Sequence, residues 1–248
     1  TTGKPKGAEL THSNLFINCT VVVSRLLPPT DGVHRALATL PLFHTFGQTV
    51  IQNGMIAHGG SLTLLPRFEP EAAFSLIERD RISIFAGVPT MYFALLHHRG
   101  DRAYDVSSPR SCFTGGAPMP VEVLYAFEEK FNVEILEGFG LSETSPVASF
   151  NVLTKPRKPG SIGYPVWGVE MCIVNDADQK LPDGEHGEIC IRGHNVMKGY
   201  LNRPDANKEA LRGGWFHTGD VGYRDTDGCY WIVDRKKDMI LRGGFNVY

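Results

Sequence analysis

Over the first 143 residues the apolar positions recur in one order: a short run, a loop of small residues, then a stretch with helical spacing. "RALATLPLFH" reads as a strand ending near His44, and a helix-like run follows from Gly47 to His58. "SLTLLP" is a second short strand. "EPEAAFSLIERD" is a helix with Pro70 in its first turn, where a missing N–H costs nothing. "ISIFAGVP" with "TMYFALLHH", and "SCFTGGAP" with "PVEVLYAFEEKF" opening on Pro120, repeat the pairing, and "VEILEGFGLSE" again runs a strand into glycines. Such alternation predicts an α/β fold, with parallel-rich sheets flanked by helices. Ligands of such sheets sit beyond the carboxyl ends of the strands, a rule that collects His44, Gly87, Gly115, Gly116 and residues 138–143 onto one rim.

After Pro156 the pattern changes to short strands separated by turn signals, notably "PDG" at 182–184 and "DTDG" at 225–228. The expected organisation is therefore an α/β part over residues 1–155, a β-rich subdomain over 156–234, and a hinge with a short stub over 235–248.

Composition narrows the function without naming it. The chain is 42% hydrophobic and 21% charged over 248 residues, enough to bury a sizeable core. A net charge of -2 with no basic run gives no electrostatic case for nucleic acid. Apolar stretches are interrupted well short of a transmembrane span, and no signal peptide stands at the start, which points to the cytoplasm. The five cysteines, Cys19, Cys112, Cys172, Cys190 and Cys229, show no C-x-x-C spacing, and four lie in apolar runs. They read as reduced core thiols rather than as a disulfide framework or a zinc site.

Four stretches carry candidate chemistry. "TTGKPKG" at 1–7 has glycines that admit an anion to the backbone, hydroxyl and N–H donors, and Lys4 and Lys6 for charge; a helix-like run follows from about Asn14. Its lysines fall between the glycines, so it is not the G-x-x-x-x-G-K-[ST] phosphate loop, and a solvated loop explains it equally well. "TGGAP" at 114–118 leaves room for a flat ring against the backbone, or is a plain strand-to-helix turn. In "EGFGLSE" at 137–143, Gly138 and Gly140 bracket Phe139, able to stack on a base. Ser142 adds a hydroxyl and Glu143 a hard oxygen suited to magnesium shared with phosphates, unless it is a surface carboxylate. "WFHTGD" ends on Asp220, which could accept both hydroxyls of a ribose or merely close a β-turn.

The order of these stretches, "TTGKPKG … GGAP … EGFGLSE … WFHTGD … DRKKDMI", resembles the motif series of the AMP-forming acyl-CoA synthetases, in the adenylate-forming superfamily. The resemblance runs over essentially the whole chain, and "RGHNVMKGYLNRPDA" is more similar to the fatty-acid ligases than to the amino-acid-activating branch. It implies that Thr1, Thr2, Gly3, Lys4 and Lys6 hold the pyrophosphate of ATP. Gly115, Gly116 and Ala117 would line the adenine, Phe139 would stack where tyrosine is frequent, and Ser142 would contact phosphate where threonine is usual. Glu143 would hold Mg2+, and Lys6, Ser142 and Glu143 would form the catalytic set. Asp220 and Arg235 would bind the ribose, with Gly138 and Gly140 in the nucleotide loop. His44 and Gly140 would border the acyl pocket, Lys237 would mark a hinge and Gly244 the coenzyme A tunnel.

The implied substrates are a carboxylic acid, ATP and coenzyme A. A medium- or long-chain fatty acid is favoured, with an aryl acid as alternative, and the resemblance leaves room for peripheral membrane contact. Compared with that family the chain reads as a central portion without the small C-terminal domain, so a non-catalytic nucleotide-binding fragment is a further alternative.

Overall fold

The computed structural model describes residues 5–100, 102–235, 240–242 and 245–247, with side chains described through Asp234. Thr1, Thr2, Gly3, Lys4, Lys237 and Gly244 lie outside the described residues, and Arg235 is described for its backbone alone.

In chain order the strands are β1 (Ala8–Glu9), β2 (Arg35–Ala38), β3 (Ser61–Leu64), β4 (Ile84–Gly87), β5 (Ser111–Thr114), β6 (Ile135–Gly140), β7 (Val147–Phe150) and β8 (Tyr164–Pro165). Then come β9 (Val169–Val174), β10 (Gly187–Gly193), β11 (Gly199–Tyr200), β12 (Phe216–Arg224), β13 (Tyr230–Arg235), β14 (Ile240–Arg242) and β15 (Phe245–Val247). Helices α1 (His12–Ile17), α2 (Gly54–Ala57), α3 (Pro70–Asp80), α4 (Pro89–His97), α5 (Val121–Phe131) and α6 (Pro204–Ala210) complete the set. Wider π-helical turns at Asn18–Val22 and Phe46–Asn53 extend α1 and precede α2.

The alternation in the sequence becomes a seven-stranded sheet of order β3-β2-β4-β5-β6-β7-β8. Its first five strands are parallel and β7 and β8 run antiparallel. Period-two alternation sorts side chains to the two faces. Leu37, Phe85, Cys112 and Ile135 pack with α3, α4 and α5 around Phe74, Ile77, Tyr92, Leu95, Leu124 and Phe127. Ala36, Ala38, Ile84, Ala86, Phe113 and Leu136 turn to the opposite core, which continues through Val147 and Phe150 into Met171, Ile173, Ile189 and Ile191.

Those last residues belong to a second, antiparallel sheet of order β13-β12-β10-β9. One hydrophobic core thus underlies both sheets, and Tyr230 N–H donates to Gly163 O at 2.8 Å where they join. The turns marked in the sequence lie at the edge of this second sheet: Gly184 N–H donates to Arg224 O at 2.8 Å, and Gly228 N–H to Asp225 O at 2.9 Å.

One local expectation differs. The strand placed near His44 ends at Ala38. Pro41 has no N–H to continue a ladder, and its carbonyl instead accepts His44 N–H at 3.0 Å in a turn. The cysteines are free thiols, four buried and Cys172 half-buried. No helix among the described residues is long and apolar enough to cross a membrane.

Candidate active site

A cavity of about 1300 Å³ opens where the carboxyl ends of the parallel strands meet the second sheet. His44, Gly115, Gly116, Ala117, the stretch 137–143, Asp220 and Lys6 all line it. The rim expected from the sequence is therefore one place, with an exception. Gly87 does not line the cavity, and the carbon a side chain would add there meets the Phe85 ring at 3.1 Å.

The wall from the first sheet is a set of close backbone approaches. At Gly138 an added Cβ would lie 2.1 Å from the ring of Phe150, and at Gly140 2.1 Å from the carbonyl oxygen of Pro146. Glycine is required there so that β7 can lie against β6, which bulges between Phe139 and Gly140. Gly116 turns the chain out of β5 at φ +81, a region open to glycine, and Gly115 sits where a Cβ would come 3.1 Å from Gly138 O. Phe46 reaches the same turn, 3.7 Å from that position. His44 is exposed on the rim, and its Nδ1 accepts Phe46 N–H at 3.2 Å.

Next along this wall, Ser142 is exposed and Glu143 half-buried in a single 3-10 turn, Ser142–Thr144. Thr144 braces the turn, its hydroxyl accepting Leu141 N–H at 2.9 Å. Glu143 Oε1 accepts the hydroxyl of Tyr200 at 2.8 Å, and Lys6 Nζ lies 4.4 Å from the centre of the Tyr200 ring. Burial, with the neighbouring carboxylate second, pushes the Tyr200 phenol well above its ordinary range, so it remains a donor.

The opposite wall is β12. Asp220 is buried, and its N–H donates to Thr218 Oγ1 at 3.0 Å. Thr218 in turn donates to Ile189 O at 2.8 Å, and Gly219 N–H donates to Glu188 Oε1 at 3.0 Å. Glu188 also meets His217 Nδ1 and Arg212 Nη2, each at 3.3 Å from Oε2. The backbone of Arg235 stands opposite Asp220 in the β12–β13 ladder.

Between the walls, Glu137 is buried with its Oε2 accepting Gly160 N–H at 2.7 Å. Burial raises its carboxyl to about 7, against the lowering effects of that N–H and of Arg157.

Sequence reasoning missed Tyr200, Glu188 and Glu137 as residues of the site. Their partners are 57, 31 and 23 residues away, so no local spacing announces them. Tyr200 lies within "RGHNVMKGYLNRPDA" and Glu137 opens "EGFGLSE", yet only the closed fold brings β11 to the turn of Glu143, β10 beside β12, and Gly160 to β6.

Six carboxylates line the cavity (Glu137, Glu143, Glu188, Glu209, Asp220 and Asp234), against Lys6 and Arg212 among the described residues. A polyphosphate entering there would need a divalent cation to offset that charge. The described residues contain no group of three or more metal-ligating side chains, so a cation on Glu143 would complete its shell with phosphate or water oxygens. Glu143 beside the Ser142 hydroxyl is a donor set that fits magnesium used in this way.

The profile of the AMP-binding enzymes matches residues 1–201. The chain belongs to the AMP-binding enzyme family. Among its curated relatives, a long-chain-fatty-acid–CoA ligase of Bacillus subtilis is 42% identical over 249 residues, covering 100% of this chain and 44% of that protein. A feruloyl-CoA synthase of an Amycolatopsis species is 40% identical, covering 100% of this chain and 50% of its own length. Among solved structures, ATP-bound MatB of Rhodopseudomonas palustris superposes with a TM-score of 0.91 at 33% identity, over 100% of this chain and 48% of that one. The O-succinylbenzoate coenzyme A synthetase of Bacillus subtilis, in complex with ATP and a magnesium ion, gives a TM-score of 0.87 at 34% identity, over 100% of this chain and 50% of that one. The chain spans about half the length of the relatives it matches. The α/β architecture is that of the adenylate-forming enzymes.

Proposed function

We propose that the protein to which this chain belongs activates a carboxylic acid with ATP and transfers the acyl group to coenzyme A. The observation that supports this most is the convergence of His44, residues 115–117, residues 138–143, Lys6 and Asp220, from segments far apart in sequence, on one cavity of an AMP-binding fold.

The acid's carboxylate oxygen would attack the α-phosphorus of ATP, expelling pyrophosphate. The coenzyme A thiol would then attack the acyl carbon and release AMP. Residues 115–117 and Phe139 would hold the adenine, and Asp220 with Arg235 the ribose hydroxyls. Lys6, with Thr1, Thr2, Gly3 and Lys4, would hold the departing pyrophosphate, and Ser142 would donate to phosphate. These donors act by stabilising charge that grows on phosphate oxygens. Magnesium on Glu143 would supply further neutralisation when bound. The acid would lie between His44 and Gly140, near the apolar Phe46 and Val147 that also line the cavity. Lys237 would serve as the hinge and Gly244 would meet coenzyme A. The division at about residues 156 and 235, and a cytoplasmic location with peripheral membrane contact in reach, belong to the same proposal.

A medium- or long-chain fatty acid is the favoured substrate, because a long-chain-fatty-acid–CoA ligase stands at 42% identity. An aryl acid is the second candidate, on the 40% identity to a feruloyl-CoA synthase. ATP–pyrophosphate exchange by the full-length protein, with a panel of fatty, aryl and amino acids, tests this. Exchange with fatty acids is expected. Exchange with aryl acids alone would move the substrate to the second candidate, and exchange with amino acids alone, or with none, would overturn the proposal.

A further inference from the structure

Tyr200 contacts three segments of the site at once: the lysine-bearing loop, the turn that carries Glu143, and α6. Its strand pairs with β1, Ala8 opposite Tyr200 and Glu9 opposite Gly199, directly after the lysine-bearing loop. Its backbone is clamped by one side chain: Tyr200 N–H donates to Asn207 Oδ1 at 2.5 Å, and Asn207 Nδ2 donates to Tyr200 O at 3.0 Å. The ring is buried under Lys6 Nζ, and the hydroxyl reaches Glu143 Oε1. The backbone of Glu143 is held from the same loop, its carbonyl accepting Met197 N–H at 2.9 Å.

A free glutamate samples several rotamers and presents either oxygen. Here the phenol hydroxyl takes one oxygen, and the chain direction is set by Met197. Outer partners of this kind fix the orientation of a metal-binding carboxylate.

We infer that Tyr200 is a positioning residue of the metal–nucleotide site. Its hydroxyl orients Glu143 so that the second carboxylate oxygen faces a divalent cation, while its ring seats Lys6 beside the same phosphates. This inference rests on the proposed assignment of Glu143 to a cation carried by the nucleotide. Tyr200→Phe separates the two roles, since it keeps the ring under Lys6 and the packing of β11 and removes the hydroxyl alone.

The test uses the full-length protein with ATP, and with Mn2+ as the probe, followed by electron paramagnetic resonance. Tyr200→Phe is expected to weaken Mn2+ binding in the ATP complex by about tenfold, the lower end of the usual effect of losing such a partner. Affinity for metal-free ATP and the melting temperature should stay close to wild type. Tyr200→Leu, which removes the ring as well, should also weaken metal-free ATP. Unchanged Mn2+ affinity in Tyr200→Phe would overturn the inference, as would an equal loss of metal-bound and metal-free ATP. Glu143→Gln tells the two readings apart. If it weakens Mn2+ and Tyr200→Phe does not, only the role of Tyr200 falls. If it too leaves Mn2+ unaffected, or the wild-type complex binds none, the metal assignment falls and the inference with it.

Discussion

On one wall of the cavity, residues 138–140 are held by how closely two backbones approach; on the other, residues 218–220 are held by side-chain hydrogen bonds. The first wall has no tolerance for a single added carbon, because β7 and the Phe150 ring already occupy the space. The second has space, with nothing within 4 Å of a Cβ built on Gly219, although its φ of +74 still favours glycine, and its position is fixed by Glu188 and Ile189 of the neighbouring strand. Steric definition is sharp and indifferent to pH. Definition by a buried carboxylate is adjustable and depends on its partners staying in place.

Three perturbations would break or sharpen that contrast. The largest is Gly140→Ala. Its Cβ would meet backbone atoms of Pro146 at 2.1 and 2.7 Å, which cannot move aside as a flexible side chain can. A loss of more than about 3 kcal/mol is expected, or on the order of 10 °C in melting temperature, measured by calorimetry. A change of under about 2 °C would show that β6 and β7 can separate, and the steric account of this wall would fail.

Glu137→Gln comes next, at the junction of the walls. Burial raises this carboxyl from 4.5 to about 7 in the folded chain, so the folded state binds more protons than the unfolded state between those values. Its contribution to stability is therefore present below about pH 4.5 and lost as pH rises through 7. Glutamine keeps an acceptor for Gly160 N–H and does not ionise. Urea titrations across this window should show the variant gaining on wild type as pH rises, by up to about 3 kcal/mol. A parallel pH dependence of the two proteins would mean that Glu137 does not carry the titration.

The smallest expected effect is that of Glu188→Ala on the second wall. Removing the carboxylate leaves Gly219 N–H and the Nδ1 of His217 without this acceptor, at a cost of about 2 kcal/mol. Because residues 218–220 should then loosen while β6 and β7 stay packed, AMP affinity measured by calorimetry should fall too. Unchanged AMP affinity with reduced stability would show that Asp220 is placed by something other than Glu188.

What could be read before the structure follows from locality. Alternating apolar runs and helical stripes are properties of neighbouring residues, and so are the proline that opens α3 and the glycines at the ends of β5 and β6. They gave the parallel-rich sheet, its helices and the rim. The roles of Gly138 and Gly140 were legible only by half. Their spacing pointed to Phe139 between them as an aromatic able to stack on a base; what the sequence could not show is that an added carbon on either glycine would meet Phe150 or Pro146. The stop of β2 at Ala38 was missed because the apolar run continues past the strand through Leu40 and Leu42.

The sequence by itself determined the fold class and the residue types around the cavity, because each rests on periodicity or on a short motif. Only the tertiary structure decided which side chains hold those residues in place. Tyr200 on Glu143, Glu188 on Gly219 and Gly160 on Glu137 are contacts across sheets and loops. Their energies depend on burial and on distances of about 3 Å, and neither quantity exists until the chain has closed on itself.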